Sequence, residues 1–107
     1  MAARPPKARA LRRARGRAQE KLARDRERLA RLETGGAADR PIDVVSPAQV
    51  DVIAEARPCP LCEGPLHLRE HTAATVDGVR LRVAHLACTA CGIRRQMYFR
   101  LSEPSLH

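Results

Sequence analysis

The 107-residue chain carries 20 Lys and Arg against 12 Asp and Glu, a formal net charge of +8, with one Tyr, one Phe and no Trp. It is long enough for one small domain with an appendage, and two aromatics leave little material for a large core. It contains no run of about 18 apolar residues for a transmembrane helix and no apolar stretch of the kind a secretory signal needs.

The charge is segregated. Residues 1–33 hold 12 bases and 4 acids, whereas residues 34–107 hold 8 of each, so the whole surplus sits in the first third. Residues 1–19 are Arg-rich and free of acids, as organellar transit peptides are. Against that reading, the first hydroxylated residue is Thr34 and acids enter at Glu20, Asp25 and Glu27. The expectation is a cytoplasmic protein, with residues 1–33 as a basic arm.

From Lys7 to Glu33 the sequence is almost wholly Ala, Arg, Lys, Glu, Gln and Leu, the strongest intrinsic helix formers. Glu20 precedes Arg24, and Glu27 precedes Arg31, by four residues, the favourable order for helical ion pairs. Pro5 and Pro6 keep the helix from starting earlier, Gly16 is a weak point inside it, and Thr34-Gly35-Gly36 ends it. Fully formed, it spans about 40 Å. Leu11, Ala18, Leu22, Leu29 and Leu32 make a thin apolar stripe. That stripe is sparse for a coiled coil, because Asp25 falls where a seam residue should be. Arg9, Arg12, Arg13, Arg15, Arg17, Lys21, Arg24 and Arg28 are the candidate phosphate contacts, each able to displace counterions from DNA or RNA. The competing reading is a solvated, charge-laced helix with no particular ligand. The stripe lacks the bulky aromatics of a membrane-surface helix, so no membrane partner is expected.

Residues 34–57 read as a linker and a short packing segment. Thr34 to Pro41 form a joint, and Ile42, Val44 and Val45 an apolar patch. Ser46, Pro47 and Gln49 suit a helix start, as N-cap, first helical position and capping-box partner. Yet Val50, Val52, Ala54 and Ala56 alternate with Asp51, Ile53, Glu55 and Arg57, which suits a strand equally well. Helix and strand both stay open for residues 47–57.

Residues 58–101 carry the chemistry. Cys59-Pro60-Leu61-Cys62 and Cys88-Thr89-Ala90-Cys91 are two CxxC pairs separated by 25 residues. Two residues between thiols let both sulfurs face one point. Glu63-Gly64 and Gly92 follow the pairs and offer the glycine that such a turn uses for positive φ. Four thiolates from Cys59, Cys62, Cys88 and Cys91 close a tetrahedral shell around one Zn²⁺ and leave no open position for catalysis. Disulfides need an oxidising compartment, and a thioredoxin-like redox site uses a single such pair. A structural zinc site is expected, and no enzyme activity or small-molecule substrate.

Between the knuckles, Pro65 to Glu70 alternates with Leu66 and Leu68 on one face, and Val76-Asp77-Gly78-Val79 is a hairpin signal. Val79, Leu81 and Val83 alternate with Arg80 and Arg82. After the second knuckle, Ile93, Met97, Phe99 and Leu101 share a face opposite Arg94, Gln96, Tyr98 and Arg100. The pattern predicts a small zinc-bound β domain, a three-stranded antiparallel sheet pinned by the metal, with the long basic helix in front and a tail over 102–107. At 44 residues this domain is near the size where a metal has to supplement the core.

The motifs Cys59-Pro60-x-Cys62-x-Gly64 and Cys88-x-x-Cys91-Gly92 around a hairpin resemble the zinc ribbons of transcription factors, polymerase subunits and ribosomal proteins. The chain as a whole looks like a small bacterial protein. The resemblance implies a fold more than a function. Transcript-cleavage ribbons carry adjacent acids at the hairpin tip, where this chain offers Asp77 followed by Gly78, so that activity is not implied. Of the histidines His67, His71, His85 and His107, His85 is near enough in sequence to Cys88 to donate to a thiolate. Arg80, Arg82, Arg94, Tyr98 and Arg100 form a candidate second basic face with one stacking aromatic, or else an outer sheet face covered by aliphatic Arg stems. Two functions follow: a zinc module associating with nucleic acid through its arm, or an adaptor docking on a protein complex such as the transcription or translation machinery.

Overall fold

The computed structural model describes residues 7–102; Pro5, Pro6 and the tail beyond Ser102, with His107, lie outside them. Helix α1 spans Ala8–Leu32, β1 Ile42–Val44, α2 Pro47–Ala56, β2 Leu66–Val76, β3 Val79–Cys88 and β4 Arg94–Leu101. The sheet order is β1-β4-β3-β2. The molecule measures 84 × 25 × 20 Å along its principal axes, because α1 projects from the sheet.

Helix α1 forms where Ala, Arg and Leu dominate, but it builds little core: Ala30 is its one buried residue. At 1.5 Å per residue, its 25 residues span about 38 Å. Arg31 pairs with Glu27 at 3.7 Å, as the spacing predicts, and Arg28 with Asp25 at 3.7 Å; Glu20 and Arg24 form no ion pair among the described residues. The helix stops at Glu33, which turns to extended backbone. Gly35, at φ 91°, then reverses the chain, and its carbonyl accepts from the Tyr98 amide at 2.9 Å.

The sheet has four strands and is mixed, where the sequence pattern predicts three antiparallel ones. The fourth is the Ile42–Val44 patch, which pairs parallel with β4 in the register Ile42↔Phe99 to Val44↔Leu101. A three-residue strand whose partner lies more than fifty residues away leaves no local signal. The open choice over residues 47–56 resolves as helix. Ser46 caps it through Ala48 N–H at 3.2 Å, Pro47 occupies its first turn, and Gln49 reaches back to the Val45 N–H at 2.8 Å. The capping chemistry prevails over the alternation because a helix here buries Val50 and Ala54 completely against the sheet.

The hairpin forms as expected, with Asp77 at φ 49° and Gly78 at φ 78°, the left-handed pair of a primed turn. Strand β2 shifts register between Leu68 and Glu70, a bulge that turns Leu66 and Leu68 to the face later held by His71 and Ala73. The core joins Val44, Val50, Ala54, Cys59, Leu66, Ala84, Leu86, Cys88, Met97 and Phe99. Of β3, the even residues Ala84, Leu86 and Cys88 thus face the helix. Leu81 and Val83 lie on the other side by the two-residue period of a strand, buried next to cross-strand partners Ala74, Thr72 and Tyr98.

Candidate metal centre

Each CxxC pair folds into a tight turn closed by its own backbone. Cys59 N–H donates to Gly64 O at 2.9 Å and Glu63 N–H to Cys59 O at 2.8 Å; Cys88 N–H donates to Ile93 O at 2.9 Å and Gly92 N–H to Cys88 O at 3.0 Å. The positive φ falls on Gly92 (79°) in the second turn but on Glu63 (63°), not Gly64, in the first. Gly64 serves a different need. A Cβ there would stand 2.7 Å from Ala90 Cβ, 3.2 Å from Cys62 Sγ and 3.3 Å from Cys88 Sγ, so the two knuckles close over the space a side chain would fill. Pairing of Pro58 with Pro65 and of Leu66 with Cys88 locks the turns at the same end of the sheet.

The four sulfurs of Cys59, Cys62, Cys88 and Cys91 lie within 4.8 Å of one another. Cys59 Sγ is 3.7 Å from Cys91 Sγ, and Cys62 Sγ 3.4 Å from Cys88 Sγ. A disulfide needs about 2.05 Å, and all four thiols are free. Tetrahedral Zn–S bonds of about 2.3 Å set sulfurs about 3.8 Å apart, close to the separations found. The four cysteines are therefore positioned to coordinate one metal ion, and an all-thiolate set suits zinc. Cys59 and Cys88 are buried while Cys62 and Cys91 face solvent, so the centre is anchored in the core on one side and open on the other.

Backbone amides prepare the sulfurs for charge. Gly64 N–H points at Cys62 Sγ and Cys91 N–H at Cys88 Sγ, both at 3.4 Å. The Cys88 thiol is lowered to about 6, first by the Cys91 amide, then with help from Cys62 and the Ala90 amide, against desolvation. Cys62 goes the other way, to about 12: the Gly64 amide lowers it, but the neighbouring thiols and desolvation outweigh that amide. Four thiols packed this closely cannot all ionise without a cation between them.

Two contacts tie α1 to this end of the molecule, and neither is announced by a sequence motif. Arg26 Nη1 donates to Leu61 O, inside the first knuckle, at 2.7 Å. Arg95 Nη1 stands 3.6 Å from Glu27 Oε2, with the Arg95 side chain 8 % exposed. Both contacts come from the last two turns of the arm.

The remaining candidates are placed as follows. Arg9, Arg12, Arg13, Arg15, Arg17, Lys21, Arg24 and Arg28 are all exposed along α1. The second basic set is divided by the register. Arg94, Tyr98 and Arg100 share a face with His85 and Gln96, whereas Arg82 pairs with Phe99 and, with Arg80, falls on the opposite one. The reason is that Ala84, Leu86 and Cys88, not Leu81 and Val83, set the core-facing phase of β3. Arg100 is further occupied by Asp43, its Nε donating to Oδ1 at 2.8 Å, a contact that raises the Arg100 pKa. Arg94 and Tyr98 line an open cleft with Arg31, Arg69, Glu27 and Glu70. His85 makes no thiolate contact. Its Nδ1 accepts from Gln96 Nε2 at 3.2 Å and its Nε2 donates to Thr72 Oγ1 at 2.9 Å, while Tyr98 Oη donates to Gln96 Oε1 at 2.7 Å. His71 Nδ1 meets Asp51 Oδ1 of α2 at 3.1 Å, and His67 is exposed.

Fold and site together define a small protein with one long helix, an open four-stranded mixed sheet and a four-cysteine metal site. No protein-family model matches the chain, and no curated protein and no solved structure matches it either. No helix among the described residues is long and apolar enough to cross a membrane.

Proposed function

We propose that this chain is a non-enzymatic zinc module, related in design to zinc ribbons, that associates with nucleic acid through its Arg-rich arm while the zinc-bound sheet acts as anchor. The observation that carries the reading is the projecting helix: nine exposed bases from Arg9 to Arg28 on a helix whose one buried residue is Ala30. A helix that buries so little adds little to the core, and its charge suits a polyanion. Four thiolates fill a tetrahedral zinc shell, so the metal's role is to hold the sheet rather than to activate water.

Binding to random DNA and RNA across a salt series tests this, comparing the full chain with a variant carrying Arg9, Arg12, Arg13 and Arg17→Gln. The wild type is expected to bind with a steep salt slope, and the variant to lose up to four phosphate contacts' worth of that slope, roughly 0.9 per contact on duplex DNA. No binding at low salt, or an unchanged slope, contradicts the reading. The exposed leucines of the same helix favour a second reading, docking on a larger protein complex, which predicts saturable binding to one protein and little to random nucleic acid.

A further inference from the structure

Helix α1 carries an apolar stripe that nothing among the described residues covers. Leu11, Leu22, Leu29 and Leu32 are 43, 48, 63 and 58 % exposed, and they lie on one side of the helix. The side that meets the body is another one, built by Arg26, Glu27 and Ala30. At 100° per residue, these sit between about 70° and 170° around the axis from the stripe. A second rod can therefore lie along the leucines without displacing the sheet.

The stripe has polar interruptions at Arg15 and Asp25. We propose that they are its register: α1 pairs with a second copy of itself, antiparallel, in an alignment where the numbers of facing residues add up to 40. Stepping alternately three and four residues along the seam from Ala8 gives the positions of a heptad repeat. Reversing one copy sets Leu11 on Leu29 and Ala18 on Leu22, with Leu32 of one copy over Ala8 of the other. It also sets Arg15 on Asp25. Each pair occurs twice by symmetry, so both charges that break the apolar stripe meet an opposite charge. A parallel pair would instead stack Arg15 on Arg15 and Asp25 on Asp25. Among the described residues Asp25 has only the 3.7 Å pair with Arg28, whose side chain is 74 % exposed, and it can exchange that contact for Arg15 of the second copy.

The flanking positions work against the pairing. The same alignment brings Lys21 beside Lys21 and Arg12 beside Arg26, and residues 7–32 carry 11 bases against 3 acids. Two such rods repel at low ionic strength, and salt screens the repulsion. Dimerisation therefore strengthens with salt, whereas attachment of the arm to a polyanion weakens. The two activities are separable by the sign of their salt response, and the dimer stands or falls independently of the nucleic-acid reading.

Sedimentation equilibrium of the full zinc-loaded chain, at moderate and high salt, is the test. The expected result is a mass rising with concentration from 11.8 kDa to twice that value, more readily at high salt. Arg15→Asp alone and Asp25→Arg alone each convert the two seam attractions into repulsions, and each loses about tenfold or more in dimer affinity. The two single variants mixed in equal amounts recover a heterodimer, and the double variant Arg15→Asp/Asp25→Arg recovers the homodimer. The mixture contains the same altered helices as the single samples, so its recovery excludes fraying of α1 as the cause of the loss. A chain that stays monomeric at all concentrations and salts overturns the proposal. So does a dimer indifferent to the single reversals, or a mixture that fails to recover.

Discussion

Arg26, in the last third of the basic helix, donates a hydrogen bond to the carbonyl of Leu61, midway between the first two cysteines, at 2.7 Å. The contact links the first metal turn to the arm, so ordering of Leu61 is expected to steady the helix at its base. Arg26→Ala is expected to lower global stability by less than about 1 kcal/mol, since the bond is exposed, yet to speed amide exchange across Ala23–Leu32. Unchanged exchange in that span would show that the contact carries no order into the helix.

Gly64 is the residue whose replacement separates close approach from backbone conformation. Gly64→Ala puts a methyl 2.7 Å from Ala90 Cβ and is expected to cost about 1–3 kcal/mol, the usual penalty of overpacking. Adding Ala90→Gly should return part of that loss, leaving the 3.2 and 3.3 Å contacts with the two sulfurs. Thermal unfolding of the single and double variants in zinc checks it. A double variant no better than the single one rules out the Ala90 clash as the cause.

Zinc binding should be lost on acidification. Cys88 is held at about 6 by the Cys91 amide and its other neighbours, below the unfolded thiol value of about 8.5, and a bound cation lowers it further. A depressed pKa contributes stability that is present above the unfolded value and lost as pH falls through the folded one. Zinc is thus expected to stay bound at neutral pH and to be released only as the pH falls further into the acid range, read with a colorimetric chelator. Release already at pH above 7 would contradict the amide-prepared site.

The four cysteines should not be equivalent. Cys59 and Cys88 are buried in the core, whereas Cys62 and Cys91 are exposed. Ser at any of the four weakens zinc binding, and at Cys59 or Cys88 it also leaves a hydroxyl in an apolar setting, adding about 1–3 kcal/mol. Thermal unfolding should therefore rank the buried pair as the more damaging. Equal losses at all four positions would show that burial adds nothing.

What could be read in advance follows the range of the interactions. The CxxC turns, the Asp77-Gly78 hairpin and the arm are dictated by neighbours in sequence, and each forms where its residues predict. The cap of α2 was equally legible in Ser46, Pro47 and Gln49, but period-two alternation competed with it until burial of Val50 and Ala54 decided. Strand β1 was not legible, because pairing Ile42 with Phe99 is a tertiary event. Nor was the phase of β3: Leu81 and Val83 look like the core face, yet the sheet presents Ala84, Leu86 and Cys88 to the helix. That one reversal divides the expected basic face, moving Arg80 and Arg82 away from Arg94, Tyr98 and Arg100. In the site, the four sulfurs were legible from spacing alone, while Arg26 and the packing role of Gly64 required the two knuckles to be brought together.

The most direct test of a zinc-held fold is to measure metal content and far-ultraviolet circular dichroism of the full chain before and after a strong chelator. The account predicts one zinc per chain, with loss of the strand signal on chelation and its return when zinc is added back, as expected when metal binding is folding energy. A chain that is purified without metal, or that keeps its sheet after zinc is removed, would contradict it.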